Sequence, residues 1–179
     1  SLLSGLESLH GTPLMSLNAP MLADSMRQHP RIQDVVVGRQ FPSTVTVEVE
    51  ERREVAVLIS NGGVWTIDES RVVLPLPGRA WPLDLPVISG LVKDPEPGST
   101  LTDPAMINAM EWVNGASKLP RMHAWLSEIH ISGDQISWVS GADGRVVLPG
   151  EHDVIVQVAT LDAFLASDDK ADGRIVDLS

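Results

Sequence analysis

The chain has 179 residues, with 13 Lys and Arg against 24 Asp and Glu, for a formal net charge of −11. That surplus of acid argues against nucleic acid and anionic membrane surfaces, both of which are held by clustered basic side chains. With 43% hydrophobic and 21% charged residues, the composition is that of a folded chain rather than a disordered one. Cysteine is absent, which removes disulfides, thiolate metal sites and cysteine nucleophiles together. No apolar run approaches the ~18 residues needed to span a bilayer. Ser1 to His10 also lacks the basic start and apolar core of a signal peptide.

In chain order, a first helix is expected over 1–9, stopped by Gly11 and Pro13. A second helix is better marked: Asn18 can cap it, Pro20 sits in its first turn, and Leu22 and Met26 share a face. It must end before Pro30, because the residue ahead of a proline is pushed out of the α region. Ile32 to Gln40 then reads as a strand, Phe41-Pro42-Ser43 as a turn, and Thr44 to Glu51 as its partner strand. In the partner, Val45, Val47 and Val49 fall on one face and Thr46, Glu48 and Glu50 on the other, a half-buried antiparallel strand.

The rest is richer in strands. Val55 to Ser60 and Val64 to Ile67 flank Asn61-Gly62-Gly63, a hairpin signal, and Asp68-Glu69-Ser70 turns the chain into Arg71 to Leu74. The proline-rich stretch 75–100 is expected to be extended and loop-like. Asp103 and Pro104 are an N-cap and a first-turn proline for a helix whose buried stripe is Met106, Met110 and Val113. Strands are expected over Ala124 to Ser132, Gln135 to Ser140 and Arg145 to Leu148. A helix over about 151–166, with Val154, Val158, Leu161 and Leu165 on one face, precedes a last strand from Arg174 to Leu178. The fold class is α+β: a small unit over 1–59 with two helices against a short sheet, then a mixed, mostly antiparallel β unit with two helices over 60–179.

Catalytic constellations are hard to assemble. The five histidines form no HxH or HExxH pair, and neither a GxSxG elbow nor a P-loop is present. Glu50-Glu51 and Asp68-Glu69 are adjacent acids that point to opposite faces at strand spacing, so neither pair can share a glycosidic bond. The five tryptophans could line a sugar groove, but they are spread over different elements at positions that suit a core. No catalytic residue, metal site or cofactor is put forward.

One segment carries more. His29-Pro30-Arg31-Ile32 through Arg39-Gln40-Phe41-Pro42-Ser43 to Thr44–Val49, followed by Glu51-Arg52-Arg53-Glu54-Val55-Ala56, resembles the second half of a POTRA domain of the FtsQ/DivIB cell-division family. Arg39 and Pro42 match an Arg-x-x-Pro element; Glu51, Arg52, Val55 and Ala56 match Glu-Arg-x-Pro-Val-Ala, with Glu54 in place of the proline. Upstream, Gly11 to Asn18 resembles the family's link between the two POTRA helices. Downstream, Trp65-Thr66-Ile67-Asp68, Leu85-Pro86-Val87-Ile88-Ser89-Gly90, Gly144 to Gly150 and Arg174-Ile175-Val176-Asp177-Leu178 follow its pattern in order.

The resemblance implies a non-enzymatic division-site scaffold, single-pass in the inner membrane, with this region on the periplasmic side at the septum. Its partners would be FtsB and FtsL, and possibly components of septal peptidoglycan synthesis. A transmembrane helix and a first POTRA strand before Ser1, and one more strand after Ser179, are expected of the longer protein. Family members are thought to receive FtsB as an added strand at the last strands of the β domain. That implies a partner edge at Arg174, Ile175, Val176, Asp177, Leu178 and Ser179. Edge strands invite such addition, although the same six residues read equally as an ordinary core strand. Two other functions remain open: a POTRA-type polypeptide receptor of outer-membrane assembly or secretion, and a periplasmic carbohydrate-binding protein or hydrolase.

Overall fold

The computed structural model describes residues 16–76, 84–91, 93–133, 135–140, 146–148, 153–166 and 176–177. Two compact units divide between Arg52 and Arg53. The helix expected over 1–9 lies outside the described residues.

In the first unit, α1 (Ala19–Arg27) begins where Asn18 caps it, its side-chain oxygen accepting from the Met21 N–H at 3.1 Å. Ala19, Ala23 and Met26 are its buried residues. They face a hairpin of β1 (Ile32–Gln40) and β2 (Thr44–Glu51). The core here is Ala23, Met26, Ile32 and Val35, flanked by Leu22, Val37 and Val47. Ile32 and Val35 lie three apart, which plain alternation would send to opposite faces. A register shift between Ile32 and Asp34 inserts the extra residue that lets both point inward. Period two holds beyond it, with Val35 opposite Val49 and Val37 opposite Val47.

Arg27 ties the end of α1 to β1. Its guanidinium donates to Asp24 Oδ1 at 2.9 Å, to Asp34 Oδ1 at 3.0 Å and to the Val35 carbonyl at 2.8 Å. The Asp34 carboxylate also accepts from the Val35 N–H at 2.8 Å. That backbone bond, and then Arg27, hold Asp34 below the ordinary carboxylate range. A depressed folded-state value contributes stability above the unfolded pKa, and that contribution disappears as pH falls through the folded one. The first unit is therefore expected to lose this tie only in acid. Arg27→Gln is expected to raise the Asp34 pKa without restoring the ordinary value, because the Val35 N–H remains. Carboxyl-carbon NMR against pH checks this, and an unmoved Asp34 would contradict it.

The second unit carries one eight-stranded sheet. Its elements are β3 (Glu54–Ser60), β4 (Gly63–Asp68), β5 (Val73–Leu74), β6 (Val87–Leu91), α2 (Pro104–Ser117), α3 (Pro120–Trp125), β7 (Leu126–Ser132), β8 (Gln135–Ser140), β9 (Val146–Leu148), α4 (Val154–Ala166) and β10 (Val176–Asp177). The strand order is β10-β9-β8-β7-β6-β3-β4-β5. The boundary read after residue 59 thus moves back, because β3 pairs with β4 and β6 and belongs wholly to this sheet.

Two further expectations change. The stretch 75–100 holds a central strand, β6, parallel to both β3 and β7. Pro86 stands just before it, and its carbonyl accepts from the Val57 N–H at 2.9 Å. The strand expected from Ala124 begins at Leu126, after the short helix α3, whose six residues are too few to show a helical period. The second unit therefore has three helices among the described residues rather than two.

The core lies between the sheet and the helices. Leu58, Ile88 and Ile129 stand in one row across β3, β6 and β7, all fully buried. Met106, Met110, Trp112 and Val113 of α2, Met122 of α3 and Val158 and Leu161 of α4 belong to the same cluster. Trp112 meets Trp138 of β8 with ring centroids 3.5 Å apart and planes at 54°. Trp65 and Trp125 pack against this core, so the described tryptophans are structural and form no exposed platform.

Candidate functional site: the margins of the large sheet

An open sheet ends on both sides in a row of N–H and C=O groups that need partners. At the β5 margin those partners are in place. Val73 N–H donates to the Ser99 carbonyl at 2.9 Å, Gly98 N–H to the Val73 carbonyl at 2.7 Å and Leu101 N–H to the Arg71 carbonyl at 3.0 Å. Val72 and Thr100 form an antiparallel bridge. The turn feeding this margin is built by Asp68, buried at 4% exposure, whose Oδ1 accepts from the Val72 N–H at 2.8 Å. Arg71 adopts a left-handed backbone there, with φ 66°, and its Nε donates to the Leu101 carbonyl at 3.1 Å. The strap of residues 98–101 closes this side.

The opposite margin differs. Val176 and Asp177 of β10 pair in parallel with Val147 and Leu148 of β9, and β9 pairs with β8 at Trp138 and Val139. Three strands thus link the margin to the tryptophan core. Among the described residues no strand lies outside β10. Of the six residues expected to form a partner edge, Val176 and Asp177 occupy this margin. Arg174, Ile175, Leu178 and Ser179 lie outside the described residues.

A polar cluster that the sequence did not disclose crosses β6 and β7. Ser89 Oγ donates to Glu128 Oε1 at 2.5 Å and lies 2.8 Å from His130 Nδ1. A Ser-His-carboxylate relay needs the imidazole between hydroxyl and carboxylate. Here the hydroxyl stands in the middle, between the carboxylate and the imidazole. The arrangement braces two parallel strands. Residues 39 and 41 positions apart meet only through the β6–β7 crossover, so no local spacing could have announced it. No group of three or more His, Cys, Asp or Glu that could hold a metal ion occurs among the described residues.

A family model for the POTRA domain, FtsQ-type, matches residues 2–52. The cell division protein FtsQ of Myxococcus fulvus is 31% identical over 161 residues, covering 84% of this chain and 53% of that protein. The FtsQ of an Anaeromyxobacter species is 27% identical over 161 residues, covering 88% of this chain and 54% of that protein. By these matches the chain is similar to the FtsQ/DivIB family of bacterial cell-division proteins. It spans about half the length of these curated FtsQ relatives. Members of the FtsQ/DivIB family are non-enzymatic division proteins. Among solved structures, the major extracytoplasmic domain of DivIB from Geobacillus stearothermophilus (trans isomer) aligns with a TM-score of 0.43 and 22% identity, over 68% of this chain and 98% of that one. No helix among the described residues is long and apolar enough to cross a membrane.

Proposed function

We propose that this chain is the extracytoplasmic part of an inner-membrane division protein at the septum. In this reading residues 1–52 are a POTRA domain and residues 53–179 an FtsQ-type β domain. The protein is a scaffold that binds FtsB and FtsL and helps recruit and regulate septal peptidoglycan synthesis. Its partner adds a strand at the edge formed by Arg174 to Ser179. The observation that carries this is the asymmetry of the two margins: the strap 98–101 occupies the β5 side, while no described strand lies outside β10. A row of backbone donors and acceptors binds an extended peptide with little regard to its side chains, and alternate side chains then set specificity.

Calorimetry with a synthetic extracytoplasmic FtsB segment from the same organism tests this. Binding to the chain is expected, and Val176→Pro is expected to weaken it at least about tenfold, since proline removes a donor and disrupts a pairing strand. The variant should keep its circular dichroism spectrum. No heat with the well-folded chain, or a folded Val176→Pro that binds as before, would overturn the edge assignment.

A further inference from the structure

A second feature, independent of the β10 margin, lies at the carboxyl ends of two central strands. β6 and β7 run parallel, and α2 connects them through α3. In such units the space outside the carboxyl ends of the strands, beside the start of the crossover helix, is the usual place for a ligand. Here that space is a cleft of about 540 Å³. Its floor is apolar, made by Leu91 at the end of β6, Ile131 near the end of β7, Leu101, and Met106 in the first turn of α2. Among its described lining residues three are acidic, Asp94, Glu96 and Asp103, and one is a cation, Lys93.

The acids are placed differently. Asp94 is held on the β3–β4 hairpin, its Oδ1 accepting from the Gly62 N–H at 3.0 Å and from the Ser60 hydroxyl. Asp103 stands at the N-cap of α2 but makes no side-chain capping bond, so its carboxylate is uncommitted to the helix. Glu96 is exposed. They do not converge into a group able to hold a metal ion. Apolar lining beside separated carboxylates suits a long aliphatic stem ending in a positive charge, which buries its methylenes and keeps its head in water.

We propose that this cleft is a docking site for a polypeptide partner, taking one arginine or lysine side chain flanked by apolar residues. The stem lies on Leu91, Leu101, Met106 and Ile131, and the charged head reaches Asp94, Glu96 and Asp103. The site is separate from strand addition at β10, and neither depends on the other.

NMR titration of the isotope-labelled chain tests it, with acetyl-Leu-Arg-Leu-amide as the probe and its citrulline and glutamate counterparts as controls. The arginine peptide is expected to shift the amides of Gly90, Leu91, Ser99 and Gly133 saturably. The citrulline peptide, equal in shape but neutral, should bind about tenfold more weakly, and the glutamate peptide more weakly still. The double variant Glu96→Lys with Asp103→Ser, which removes no capping bond because Asp103 makes none, should lose arginine binding by a similar factor while the rest of its amide spectrum stays in place. Citrulline binding as well as arginine, shifts absent or centred elsewhere, or undiminished binding to the double variant would each overturn the proposal.

Discussion

Gly90→Ala is expected to destabilise the second unit by about 3 kcal/mol or more, a large fraction of the ~5–15 kcal/mol that holds a typical domain folded. Gly90 sits in β6 with φ 85°, a left-handed conformation that costs an L-residue about 1–2 kcal/mol. The larger cost is steric. A β-carbon there would lie 1.9 Å from the Ile131 carbonyl oxygen and 2.9 Å from its carbon. Those are backbone atoms of the neighbouring strand, so no rotamer change relieves the clash; β6 and β7 must separate. Gly133 is the control. It also has positive φ, 62°, but among the described residues nothing lies within 4 Å of a β-carbon built on it, so Gly133→Ala should cost only the backbone part, about 1–2 kcal/mol. Urea unfolding followed by tryptophan fluorescence separates the two. All five tryptophans fall at or after residue 65, so the signal reports the second unit alone. Equal losses for the two variants would show that β6 and β7 are not so closely apposed.

Trp138→Ala is expected to cost about 3–5 kcal/mol, the range for emptying a large aromatic site in a core. Trp138 is fully buried and packs on Trp112, itself 1% exposed. It is also the β8 residue opposite both Ile129 of β7 and Val147 of β9. Losing it therefore loosens the strands that carry β10 as well as the helix layer. Trp138→Phe should cost much less, about 1–2 kcal/mol. The indole nitrogen of Trp138 has no hydrogen-bond partner among the described residues, so phenylalanine forfeits contact area but no hydrogen bond seen there. The fluorescence of the remaining tryptophans during urea unfolding checks both values. A phenylalanine variant as unstable as the alanine one would point to a polar role for that nitrogen.

Much of the local structure was legible because it is encoded within a few residues. Asn18 and Pro20 announce α1, Thr44 to Glu51 alternates as a two-sided strand must, and Asn61-Gly62-Gly63 makes a turn wherever it is placed. The ordered motifs that resemble the FtsQ/DivIB family were legible for the same reason, each being short and contiguous. Two details of local chemistry were not. Asp103 has the residue type of a cap but makes no side-chain capping bond, and the bulge between Ile32 and Asp34 breaks the period that the surrounding residues suggest.

What needed tertiary structure was pairing across distance. Val87-Ile88 amid prolines reads as a loop until Val57 and Glu128 are found on either side of Val87. The Ser89–Glu128–His130 brace and the cleft at the ends of β6 and β7 exist only because that crossover is parallel. The domain boundary shifted for the same reason: β3 follows the POTRA-like motif in sequence, but its hydrogen bonds go to β4 and β6. Composition, capping and alternation act over a few residues, so α1, the first hairpin, the acidic balance and the family resemblance were legible in the sequence, whereas β6 and α3 were not. Which margin of the sheet is closed, and which strand lies outermost, was decided by hydrogen bonds between residues far apart in the chain, and only the folded sheet brings those together.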